Sequence, residues 1–128
     1  MATIELNDTI TLSIAVKDRH KSAQWFKEHL GFKTLYDADE IGWIELQTST
    51  VGVTLGLSDT DQPSPGNCVP VFGVTDINQA RSALEAKDVS FDGETMHVDN
   101  MVSIATFYDL DGNAFMLAQD HSISDITQ

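Results

Sequence analysis

Residues Thr9–Gly31 read TITLSIAVKDRHKSAQWFKEHLG, and their hydrophobic period changes half way along. From Thr9 to Val16, the apolar Ile10, Leu12, Ile14 and Val16 alternate with Thr9, Thr11, Ser13 and Ala15, which is the period of a half-buried strand. Asp18 then offers a helix N-cap, Ala23, Phe26 and Leu30 recur at helical spacing, and Gly31 supplies the stop. Three strand candidates follow, FKTLYDA, IGWIELQT and VGVTLGL, separated by Asp, Glu, Ser and Thr. The unit that starts at Thr9 is therefore strand, helix, strand, strand, strand.

Residues 58–67, SDTDQPSPGN, hold two of the three prolines and little that is apolar, and read as a linker. Beyond them the same order begins again. Val69–Val74 is a strand, and Asp76 caps a helix through Ile77, Ala80 and Leu84. Val89–Phe91, Met101–Tyr108 and Ala114–Ala118 are further strands. The Val16-x-Asp18 opening recurs as Val74-x-Asp76, and Phe26 has its counterpart in Leu84. One such unit leaves a sheet face bare, so two must pair. The expected class is α+β: two βαβββ modules forming a curled mixed sheet around a central cleft, within one domain over residues 1–128. Module one spans about 8–57, the linker 58–67, module two about 68–119, and a polar tail 120–128.

A chain of 128 residues, 41% of them hydrophobic, can build a core of this size. Twenty acidic residues against seven basic give a formal charge of −13, a field that repels phosphate backbones and anionic headgroups. Nucleic acid and membrane surfaces are thus poor partners, and no stretch reaches the roughly 20 apolar residues of a membrane helix. A cytoplasmic location is expected. The single cysteine, Cys68, allows no internal disulfide and reads as a small buried apolar residue.

Phe107–Asn113, FYDLDGN, admits two readings. A calcium loop counted from Asp109 needs glycine at the sixth position, but that residue is Ala114. The stretch instead lies between two strands, where Asp and Asn bond their own backbone and Gly112 takes a positive φ. It reads as a turn. Together with Ser22-Ala23-Gln24-Trp25-Phe26 and Leu30-Gly31-Phe32, this Asp109-Leu110-Asp111-Gly112-Asn113 turn resembles the vicinal-oxygen-chelate superfamily, which includes glyoxalases, extradiol dioxygenases and bleomycin-resistance proteins. The likeness runs from Ile10 to Gln119 and implies the glyoxalase/bleomycin resistance/dihydroxybiphenyl dioxygenase fold, usually as a homodimer. It does not choose a reaction.

Metal-using members of that superfamily take one His or Glu ligand from each of four strands. Carried over strand by strand, the positions fall on Thr11, Thr54, Val69 or its neighbour Cys68, and Met116. No imidazole or carboxylate stands there, so no metal cofactor is expected. The histidines offer little rescue. His20 and His29 should be exposed on the first helix, and His121 should lie in the tail. His97, in GETMHVDNM, is the one whose segment can border the cleft.

With Ile44 and Leu46 in the core, alternation turns Trp43, Glu45 and Gln47 toward the cleft. Thr11, Ser13 and Thr54 join them, with Met101, Phe107 and Met116 from module two, as the expected ligand-binding set. Trp25, by contrast, should pack against the sheet. Glu45 is the one carboxylate in the set. Among apolar groups its pKa would rise, which would suit a general base. Three functions follow: a metal-free protein binding a flat or cationic small molecule, a metal-dependent lyase, isomerase or dioxygenase with an unusual ligand set, or a cleft serving only association.

Overall fold

The computed structural model describes residues 2–121; the end of the polar tail, 122–128, lies outside the described residues. The chain forms two compact units, Thr9–Pro70 and the remainder from Val71 together with the N-terminal segment up to Asp8. Both follow the strand–helix–strand–strand–strand order, as expected of an α+β chain built on a repeat.

In the first unit, β1 (Ile10–Val16) leads into α1 (Arg19–Leu30), β2 (Lys33–Ala38), β3 (Trp43–Gln47) and β4 (Val53–Asp59). The strands lie in the order β2-β3-β4-β1, with β1 parallel to β4 and the other pairs antiparallel. Asp18 caps α1 by accepting from the His20 and Lys21 amides, and Gly31 closes it through a bond to the Lys27 carbonyl. Ala23 of α1 is buried on Ile44, Leu46, Leu55 and Leu57, with Leu12, Ile14, Phe26 and Phe32 around them. Two helix positions depart from expectation. Trp25 is 52% exposed, resting edge-on to Phe26 and against His29, and Leu30 is exposed as well.

In the second unit, β5 (Val69–Gly73), α2 (Ile77–Glu85), β6 (Met96–Val98), β7 (Val102–Tyr108) and β8 (Ala114–Asp120) repeat the pattern, in the order β5-β8-β7-β6. Asp76 caps α2 through the Gln79 amide. The core here is Val74, Ile77, Ala80, Ala105 and Leu117. The N-terminal segment belongs to this unit: Ile4 packs on that core, and the Asn7 amide donates to the Gly73 carbonyl at 2.9 Å.

Several boundaries differ from those read in the sequence. Val89–Phe91 makes only a single bridge, Phe91 to Phe107, whereas GETMHVDNM, not among the expected strands, supplies β6. That strand is only three residues long, too short to show a period. Met101 lies in the turn between β6 and β7 rather than in a strand. β4 runs on to Asp59, which shortens the linker, and β8 runs to Asp120. Cys68 is exposed, not buried, because it sits at the end of the linker rather than within β5.

Candidate functional site

Strand register sets the site. Leu12 and Ile14 of β1 pair with Leu55 and Leu57 of β4, and these pair with Leu46 and Ile44 of β3, so all six face α1. The intervening residues share the other face of the same sheet: Thr11 and Ser13, Thr54 and Gly56, and Trp43, Glu45 and Gln47.

Glu45 is the hub of that face. The residue is only 9% exposed, and Trp43, Tyr36, Thr54 and Thr11 surround its carboxylate. Trp43 Nε1–H donates to Oε1 at 2.8 Å and the Tyr36 hydroxyl to the same oxygen at 3.1 Å. Thr54 donates to Oε2 at 2.5 Å, and Thr11 lies 3.2 Å from Oε2 and 2.8 Å from the Thr54 hydroxyl. The expectation that Glu45 sits among apolar groups therefore fails. Its partners are polar, which is how a charge is kept in a nearly closed environment.

Trp43 lies across the same face. A Cβ built on Gly56 would meet its ring at 1.8 Å, so the indole occupies the space that any side chain at position 56 would need. Gln47 stands at the exposed end of β3, and Ser13 is half-buried opposite Gly56.

Tyr36 and Gly56 were missed in the sequence. Strict alternation from Thr34, which pairs with Leu46, would set Leu35 against Glu45. A register shift between Thr34 and Tyr36 instead brings Tyr36 opposite Glu45. An inserted residue of this kind leaves no mark on the hydrophobic pattern.

In module two, Met116 pairs with Val71 and Thr106, on the sheet face away from the core residue Leu117. Phe107 does not join it. Its partner in register is Phe115, and both rings stack within the core, 5.8 Å apart and close to Phe72 and Phe91. Phe107 therefore faces the core, whereas Met101, in the turn between β6 and β7, has no strand alternation to set its face.

The FYDLDGN segment is a turn. The Asp109 carboxylate accepts from the Asp111 amide and from both the amide and the side-chain nitrogen of Asn113, all at 2.9 Å, and Gly112 has φ +85°. The Asn113 side chain is the leading cause holding Asp109 below the usual carboxylate pKa, with the Asn113 amide next. These bonds use the carboxylate oxygens a cation would need.

Two further groups bear on metal binding. His20, Asp37 and Asp39 bring ligand atoms within 4.8 Å of one another, all on the exposed surface. A cation already serves these carboxylates. Arg19, nearly buried, pairs with Asp37, Asp39 and Asp59, and its backbone amide also donates to Asp59 at 2.8 Å. Asp37 is held below its ordinary pKa chiefly by the His20 ring and then by Arg19. Asp59 is lowered chiefly by the Arg19 amide and then by its guanidinium.

At the four strand places taken from the superfamily stand Thr11 and Thr54, Val69 with its exposed neighbour Cys68 just outside β5, and Met116. Both hydroxyls are engaged with each other and with Glu45, valine has no donor atom, and a thioether is a soft ligand. That donor set does not fit a hard divalent ion.

A family model described as Glyoxalase/Bleomycin resistance protein/Dioxygenase superfamily matches residues 8–117. The chain belongs to that superfamily. Among solved structures, a methylmalonyl-CoA epimerase from Mycobacterium tuberculosis is similar at 18% identity and TM-score 0.74, covering 94% of this chain and 92% of its own. A superfamily member from Vibrio splendidus 12B01 is similar at 19% identity and TM-score 0.60, covering 91% and 100%. A Streptomyces coelicolor methylmalonyl-CoA epimerase in complex with 2-nitronate-propionyl-CoA is similar at 17% identity and TM-score 0.68, covering 91% and 99%. At these identities the likeness is one of fold. None of the curated proteins compared with the chain matches it.

Among the described residues, no helix is long and apolar enough to cross a membrane.

Proposed function

We propose that this superfamily member binds a small organic molecule on the face built by Thr11, Trp43, Glu45 and Thr54, without a hard divalent ion at the superfamily's usual strand positions. The observation that carries this reading is the nearly closed Glu45 carboxylate. It stands on the sheet face away from the core, beside an indole, where an apolar side chain would serve packing at lower cost.

The proton count of the network supports Oε2 as the oxygen that receives the ligand. Thr11 has one hydroxyl proton and two acceptors, and Thr54 at 2.8 Å is the better placed than Glu45 at 3.2 Å. Oε2 then keeps one strong donor, Thr54, and one acceptor position for a ligand N–H or O–H. A positive charge on the ligand adds a Coulombic term within a chain of net charge −13, and a flat ring gains from the Trp43 surface. The same oxygen is the group on this face able to take a proton from a bound substrate, the role a general base would have. Like many members of its superfamily, the chain is further proposed to pair as a homodimer.

The test is a titration with a panel of flat cationic aromatic compounds, followed by tryptophan fluorescence. A ligand should quench Trp43. Trp43→Ala and Glu45→Gln should each remain folded and lose affinity by on the order of tenfold or more. Unchanged affinity in both variants would reject the site.

A further inference from the structure

The described part of module two holds a second group of polar side chains that the proposed function does not use. Ser103 of β7 is 1% exposed, and two imidazoles converge on its hydroxyl oxygen. His97 Nδ1 lies 2.6 Å from Ser103 Oγ, and His121 Nε2 lies 2.7 Å from it.

The backbone fixes both rings. His97 is the register partner of Ser103 in the β6–β7 pair, and the His121 amide donates to the Met101 carbonyl at 2.8 Å. Ser103 in turn pairs with Gln119 on β8, and the Gln119 side chain accepts from the Ile77 amide at the start of α2. Three strands and one helix end thus hold two ring nitrogens within hydrogen-bond distance of one buried oxygen.

We propose that His97 and His121 form a site for a borderline divalent transition-metal ion of the zinc class, with Ser103 as the pivot between them. Four features carry the proposal. First, each ring nitrogen is within 2.7 Å of the same atom, and rotation of the two rings toward each other would set both on one ion at the usual Zn–N distance of about 2.0–2.1 Å. Second, a lone hydroxyl proton can be donated to only one ring at a time. The hydroxyl then accepts from the other ring, so both nitrogens are aimed at one point, where an ion would take both lone pairs. Third, His97 is exposed, which gives the ion an entry path and room for waters in the remaining positions. Fourth, Asp99 and Asp120 stand within two residues of the rings and add negative charge in an already acidic chain.

Imidazole nitrogens select zinc, copper or nickel over magnesium or calcium. On binding, Ser103 Oγ turns to the ion or to one of its waters. This pair of ligands is not among the four strand positions carried over from the superfamily, and the site stands whether or not Glu45 binds a ligand.

Zinc titration of untagged, chelator-treated protein tests the proposal, with magnesium as the control ion. Zinc should bind at one site and magnesium should not. His97→Ala and His121→Ala should each weaken zinc about tenfold or more, while His20→Ala, at the exposed His20–Asp37–Asp39 group, should leave it unchanged. In the wild-type chain, zinc should shift the imidazole NMR signals of His97 and His121 and spare those of His20 and His29. This measurement decides the matter even if a variant fails to fold. Zinc that survives loss of His97 and His121, zinc lost with His20, or no zinc-dependent shift at His97 and His121 would overturn it.

Discussion

Position 56 shows how far one atom determines this face. Gly56 pairs with Glu45 on one side and Ser13 on the other, and its missing Cβ is where the Trp43 ring lies. Gly56→Ala must displace the indole, because the nearest ring atom would be 1.8 Å away. The expected cost is about 1–3 kcal/mol by overpacking, with a shift in Trp43 emission and lost ligand affinity. Wild-type emission in this variant would show that the ring is not seated there. The orientation of Trp43, Glu45, Thr11 and Thr54 was legible in the sequence, since a buried face forces strict alternation in β1, β3 and β4. The apolar surroundings expected for Glu45 were not. Its Tyr36 partner arrives through a bulge that composition does not betray, and its bond to Trp43 Nε1–H joins two residues on one strand face.

Elements meet at two polar clusters, one visible in the sequence and one not. The Asp109–Asn113 turn was legible because Asp, Gly and Asn have few other uses between two strands. Gly112→Ala should cost about 1 kcal/mol for its left-handed backbone, and Asp109→Ala should lower Tm further because three bonds go with it. Equal Tm values for both variants would remove the carboxylate from the turn. Arg19 had no such signature, because its partners Asp37, Asp39 and Asp59 come from separate segments. Its guanidinium ties the start of α1 to the end of β2, the Asp39–Ile41 3-10 turn and the end of β4. Asp37 and Asp59 have pKa values lowered by folding. Their contribution is therefore present above the unfolded carboxylate pKa of about 4 and is lost as pH falls through the lower folded values. Arg19→Met leaves three carboxylates without their cation. It should lower Tm by on the order of ten degrees at pH 7 and flatten the acid limb. A variant with the wild-type acid limb would refute the assignment.

At the scale of the molecule, the repeat was readable because Asp18 and Asp76 cap their helices in the same place after matching strands. Which unit owns residues 2–8 was not, since their attachment is a backbone bond to Gly73 and packing by Ile4. The outer strands bear on the proposed homodimer. In its own sheet β2 has a free edge, but it carries a bulge at Leu35 and the charges of Lys33 and Asp37. β6, the outer strand of the other unit, has only three residues. Both are features that discourage edge-to-edge pairing. A dimer must then use faces, and α1 leaves two large apolar groups exposed, Leu30 and Trp25, the latter with His29 against its ring. Light scattering at micromolar concentration should give twice the 14.0 kDa chain mass, and Trp25→Glu should return it to a monomer, because a carboxylate buried without a partner opposes association. A wild-type monomer would reject the pairing itself. A dimer that survives Trp25→Glu would move the interface off α1, and deletion of the β2 bulge would then be the change expected to alter it.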